Sequence, residues 1–72
     1  MADIFDRMAD AWEGEVVARQ AIGRFTGGAV APQTAANFDA QGKGVSGRFK
    51  IGRKVVYGKY MLAEWLRARA EA

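Results

Sequence analysis

The chain has 72 residues, half of them hydrophobic, with a net charge of +3 and neither Cys nor His. That length leaves room for one small core, and the missing residue types exclude disulfides, zinc fingers, thiol nucleophiles and imidazole acid/base chemistry. No apolar run approaches the roughly 20 residues needed to span a bilayer, and the N-terminus is acidic where a secretory signal is basic, so a cytoplasmic protein with no membrane partner is expected.

From Asp3 to Trp12 the spacing of Ile4, Phe5, Met8 and Trp12 predicts a helix with one apolar face. Asp3, Asp6, Asp10, Glu13 and Glu15 face only Arg7 before residue 16, so residues 1–14 read as an acidic amphipathic helix that breaks at Gly14. Its apolar face either completes the core or forms a candidate partner face for another protein. If it is peripheral, deleting residues 1 to 12 leaves the affinity of the remainder for a polyanion unchanged or raised, because three acids and one base are removed.

A second helix is expected to begin between Glu15 and Arg19. Ala18, Ala21, Ile22 and Phe25 form its stripe, Arg19, Gln20 and Arg24 lie outside, and Thr26, Gly27 and Gly28 end it. Pro32 suits the first turn of a third helix, which runs to about Gln41 and closes at Gly42. Ala35 and Phe38 face inward there. Gln33, Asn37 and Gln41 repeat every four residues, with Thr34 alongside, and set groups that both donate and accept hydrogen bonds in one exposed row.

Phe49, Ile51, Val55 and Tyr57 alternate with Lys50 and Lys54, and Gly52-Arg53-Lys54 has the composition of a hairpin turn. A last helix follows from Lys59 to about Ala70, with Leu62, Trp65 and Leu66 inward, Met61 flanking, and Arg67 and Arg69 near its C-terminus. Phe25, Phe38 and Trp65 are expected in the core. Lys43, Arg48, Lys50, Arg53, Lys54 and Lys59 occupy the stretch from 43 to 59 without an acid among them, as a polyanion-binding surface requires.

The fold class expected from these elements is mainly α with a small β-hairpin wing: a winged helix-turn-helix over residues 15–72, plus the extra N-terminal amphipathic helix. The segments ARQAIGRFTGG at 18–28, PQTAANFDAQGKG at 32–44 and GRFKIGRKVVYGKYMLAEWL at 47–66 resemble the small phage excisionases and the related AlpA and MerR-like winged-helix proteins. The likeness is carried most specifically by the I-G-R-K turn, the V-x-Y strand and the helix ending in W-L. Two positions depart from such proteins, which often have Ser or Thr where this chain has Ala31 and Pro where it has Gly58. Loss of the cap at Ala31 leaves the third helix open to fraying at its start.

The resemblance implies that Pro32 to Gln41 is a recognition helix and Gly52 to Lys54 a wing tip. It also implies that the protein binds double-stranded DNA, associates with itself there, and assists an integrase or recombinase in excision. Gln33, Thr34, Asn37 and Gln41 are then base-reading candidates, and the six cations from Lys43 to Lys59 are backbone candidates. A prophage transcriptional regulator and a DNA-binding packaging subunit share this design. A protein-interaction adaptor or antitoxin using Ile4, Phe5, Met8 and Trp12 is the rival of another class. No carboxylate pair, metal cluster, activated nucleophile or phosphate loop stands out, so no catalysis, cofactor, metal or small-molecule substrate is expected.

Overall fold

In the computed structural model, which describes residues 3–70, the chain runs α1 (Ile4–Ala11), β1 (Val16–Ala18), a 3-10 turn (Arg19–Ala21), α2 (Ile22–Phe25), α3 (Pro32–Ala40), β2 (Phe49–Ile51), β3 (Lys54–Gly58) and α4 (Lys59–Arg69). The strands form one antiparallel sheet in the order β1-β3-β2. The outer ends of the two expected segments, residues 1–2 and 71–72, lie outside the described residues.

α1 starts where expected, because the Asp3 carboxylate accepts the Asp6 N–H at 3.0 Å and so satisfies one of the unpaired first-turn donors. It lies against α4. Ala9 on α1 and Ala63 on α4 are both fully buried, and side chains this small let helices approach closely. Phe5, Met8 and Trp12 pack on the chain's own core while Ile4 stays exposed. α1 is therefore a layer of the domain, although the outer side of this helix remains acidic.

The expected second helix is corrected. Val16 to Ala18 instead form a strand that pairs with β3 in the register Val17↔Tyr57, and only Ile22–Phe25 are α-helical. β-branched Val16 and Val17 suit an extended backbone, and the free edge of β3 supplies partners that a local helix would leave unused. Of the proposed stripe, Ile22 and Phe25 are buried, whereas Ala18 belongs to the strand.

α2 and α3 end alike. Gly27 N–H reaches Arg24 O and Gly28 N–H reaches Gly23 O; Gly42 N–H reaches Asp39 O and Lys43 N–H reaches Phe38 O. These are the paired bonds of a Schellman motif, whose first residue past the cap takes positive φ, as Gly27 and Gly42 do at 67° and 75°. α3 begins at Pro32 as predicted, although Ala31 offers no side-chain cap.

The hairpin is also as expected in place, but its turn is Gly52-Arg53, with Lys54 already in β3 opposite Ile51. Gly52 has φ 61° and Arg53 does not share that hand, the pattern of a type II′ turn. A two-residue turn sets odd-numbered residues of β2 opposite even-numbered residues of β3. Phe49 and Ile51 thus share a face with Val56 and Lys54, not with Val55 and Tyr57. Tyr57 and Val17 face the helices and are fully buried, while Phe49 and Ile51 are exposed on the outer face. The single apolar set read from the alternation is two half-sets on opposite sides.

α4 packs Leu62 and Ala63 inward, with Trp65 and Leu66 half-buried and Met61 exposed. Trp65 packs against the core as expected, whereas Phe38 departs from expectation: the two form an edge-to-face pair at 5.6 Å on the rim, beneath the Arg69 guanidinium, which lies 3.9 Å from the Phe38 ring centre. Phe25 is in the core, and Trp12 packs edge-on against it at 5.3 Å.

Candidate nucleic-acid interface

The exposed side of α3 carries Gln33, Thr34, Asn37 and Gln41, all accessible as expected. Gln33 Nε2 donates to Asn37 Oδ1 at 3.0 Å, one helical turn away. This bond leaves the Asn37 amide N–H groups and the Gln33 carbonyl oxygen unused by it on two exposed residues, one set of donors and one acceptor. An adenine presents the complementary pair in the major groove, a donor at N6 and an acceptor at N7.

α3 is held from its buried side by a residue that sequence reasoning missed. Asp39 is the one buried charged residue among those described. Its Oδ2 accepts from Arg19 Nη2 at 2.5 Å and from the Tyr57 hydroxyl at 2.7 Å, and Arg19 Nε donates to that hydroxyl at 3.0 Å. Three elements meet in this triad: the last turn of α3, the start of the 3-10 turn and the C-terminal end of β3. Burial pushes the Tyr57 hydroxyl above its ordinary pKa, and its bond to Arg19 pulls the other way. The Arg19 guanidinium is held more firmly protonated by that hydroxyl and by Asp39. A signal existed in the sequence, since Asp39 lies four residues beyond Ala35 and so on the inward face of the helix.

The second oxygen, Asp39 Oδ1, is buried without a hydrogen bond and lies against Gly44. Arg48 approaches it, its Nε at 3.9 Å, while Arg48 Nη2 lies 3.5 Å from the Asp39 carbonyl at the helix C-terminus. A cation there is favoured by the helix dipole as well as by the carboxylate.

The six proposed backbone cations therefore divide. Lys43, Lys50, Arg53 and Lys54 are exposed. Arg48 is exposed as well, with its Nε 3.9 Å from Asp39 Oδ1. Lys59 sits at the far end of β3, roughly 16 Å from Lys54 at strand rise, with its ammonium 5.3 Å from the Tyr60 ring centre. The structure thus groups Arg53 and Lys54 at the hairpin tip and places Lys59 elsewhere.

A shallow notch opens beside that tip, lined by Ala18, Arg19, Gln20, Arg53, Lys54 and Val55. Lys54 Nζ donates to Gln20 Oε1 at 2.8 Å across its mouth. The acids in and beside α1 are engaged by partners within the chain: Arg67 donates to Asp3 and Asp6 from α4, with Glu64 beside it, Tyr60 donates to Asp10 at 2.5 Å, and Arg24 pairs with Glu13 at 2.8 Å. Four acids are thus matched within the chain, whereas the notch at the hairpin tip is lined by cations and no acid. Among the described residues there is no cluster of side chains able to hold a metal ion, and no helix is long and apolar enough to cross a membrane.

Comparison of the chain with family models, with characterised proteins and with solved structures returns no match.

Proposed function

We propose that the protein is a sequence-specific double-stranded DNA-binding protein with a winged helix-turn-helix architecture, in which α3 reads the major groove and the β2-β3 hairpin grips the adjacent backbone. The observation that carries this reading is the triad of Asp39, Arg19 and Tyr57. It fixes a helix with an exposed amide row to the base of a hairpin whose tip is cationic. Recognition needs that combination, because phosphate contacts set register while side chains on a rigid helix read base edges.

The biological role proposed is that of an excisionase-type accessory factor, which positions itself on DNA and directs an integrase; it is not an enzyme itself. The acidic α1, which a polyanion does not attract, is the element left in this reading for a protein partner. Selection of bound sequences from a random duplex pool, followed by titration of the selected site in rising salt, tests the DNA reading. Three to five phosphate contacts give a slope of roughly −3 to −4.5 in log K against log salt. Absence of binding at low salt, or a salt-insensitive complex, overturns it. An in vitro excision assay with the cognate integrase separates this role from transcription control or packaging.

A further inference from the structure

The notch at the hairpin tip has a feature that solvated surface cations lack: its polar groups are already arranged. Gln20 accepts from the Lys54 ammonium at 2.8 Å, which pins the end of a long, flexible side chain over the concavity. Gln20's amide N–H groups have no partner among the described residues. Arg53 supplies a second cation from the turn of the hairpin, and no acid lines the notch. The third positive group lining it, Arg19, is paired with Asp39.

We propose that this notch seats one backbone phosphate of a DNA duplex, held by Lys54, Arg53 and the Gln20 amide together. The inference rests on the duplex-binding reading above and assigns Gln20, on the 3-10 turn, as a phosphate ligand. Its volume of about 140 Å³ suffices for a phosphate group, given that a liquid water occupies about 30 Å³. A concave site also concentrates the field of its cations more than a convex tip does. Pre-pinning of Lys54 lowers the ordering cost of the contact, which is why the neutral Gln20 matters to a bond made largely by charge. The footprint consequently includes the turn between β1 and α2 as well as α3 and the hairpin.

The test is a scan of single neutral methylphosphonate substitutions through the selected duplex, against the wild-type chain, Gln20→Ala and Lys54→Ala. Both residues are exposed, so both variants fold, which circular dichroism verifies. Wild type loses roughly tenfold in affinity at the seated phosphate; when that same phosphate is neutralised Lys54→Ala loses much less than wild type, and Gln20→Ala loses less than wild type but more than Lys54→Ala, because its two cations remain. Lys54→Ala also flattens the salt slope by about one unit, whereas Gln20→Ala weakens binding without changing the slope. If Gln20→Ala binds like wild type, or shows the wild-type methylphosphonate penalty at every position, the notch is not a phosphate seat even though the protein binds DNA. If wild type binds no duplex at low salt, the duplex reading fails and this inference with it.

Discussion

The Asp39 carboxylate and the Tyr57 hydroxyl, 18 residues apart in sequence, meet at 2.7 Å and bind the end of α3 to the middle strand of the sheet. With Arg19 at 2.5 Å, this is a buried ion pair with a neutral third member. Removing one partner of such a pair is costly because it strands the other charge. Asp39→Ala is expected to destabilise the domain by about 3 kcal/mol, the low end for a buried pair, because the Arg19 side chain retains 26% exposure to water. Tyr57→Phe, which removes one hydrogen bond and keeps the ring, should cost about 1–1.5 kcal/mol. Urea denaturation followed by Trp fluorescence measures both, and equal costs for the two would contradict the assignment of Asp39 as the hub.

Gly44 and Gly42 lie in the same loop but are required for different reasons. A Cβ on Gly44 would overlap Asp39 Oδ1 and lie 2.9 Å from the Asp39 Cα, whereas a Cβ on Gly42 meets nothing but needs positive φ. Gly44→Ala is therefore expected to cost about 3 kcal/mol or more, through displacement of Asp39, and Gly42→Ala about 1 kcal/mol, through backbone strain. In an Asp39→Ala background the Gly44 cost should fall in part, because the overlap with the carboxylate is gone while the 2.9 Å approach to the Cα of residue 39 remains, and the Gly42 cost should persist in full. That double-mutant cycle reads the contact directly.

What is legible in the sequence follows a physical pattern. α1, α3 and α4 are readable because each has an apolar face with helical spacing and, for α1 and α3, a local start signal at Asp3 or Pro32. β1 is not, since Val16 to Ala18 are extended only because β3 lies beside them, and a three-residue strand has too short a pattern to announce itself. The hairpin is legible in place but not in facing, because the two-residue turn reverses which parity points inward. The exposed amide row of α3 follows from its four-residue spacing alone. The roles of Asp39, Arg19 and Gln20 do not, because each depends on a partner at least 18 residues away.

Deletion of residues 1 to 12 should abolish cooperative folding, contrary to what a peripheral helix would allow. The segment carries fully buried Ala9 and the core-packed Phe5, Met8 and Trp12. Losing three such large side chains removes several kcal/mol of burial from a domain whose total stability is about 5–10 kcal/mol. Thermal melting by circular dichroism decides it. A truncated chain that melts cooperatively near the wild-type temperature would return α1 to the status of an appendage.

Acid should loosen α1 before the rest of the domain. The Arg67 guanidinium, with the Asp6 backbone N–H, holds the Asp3 carboxyl well below the usual carboxylate range, and Asp3 and Asp6 in turn keep Arg67 firmly protonated. A carboxyl whose pKa is depressed on folding stabilises fully above its ordinary value near 3.8 and loses that contribution as pH falls toward the lower folded value. Because these groups lie at the surface, the contribution is modest and salt-screened. Tryptophan fluorescence during an acid titration should show the wild-type transition below about pH 4, and Arg67→Gln should lessen the acid dependence in that window. An unchanged acid profile in Arg67→Gln would mean that the Arg67 cluster contributes nothing to stability.

The hairpin tip and the exposed row of α3 should fail in different ways, because phosphate contacts carry affinity without sequence and base contacts carry discrimination. Arg53→Ala with Lys54→Ala is expected to weaken a selected and a scrambled duplex alike and to flatten the salt slope by about one unit for each phosphate no longer neutralised. Asn37→Ala and Gln33→Ala should instead cost about 1–3 kcal/mol on the selected site only. Their effects should also be less than additive, because Gln33 donates to Asn37 at 3.0 Å and each orients the other. All four side chains are exposed, so the variants should melt like wild type. Paired titrations against both duplexes at two salt concentrations measure every one of these effects. If Asn37→Ala and Gln33→Ala weaken both duplexes equally, α3 does not read bases, and the cationic hairpin alone accounts for a DNA affinity that has no sequence preference.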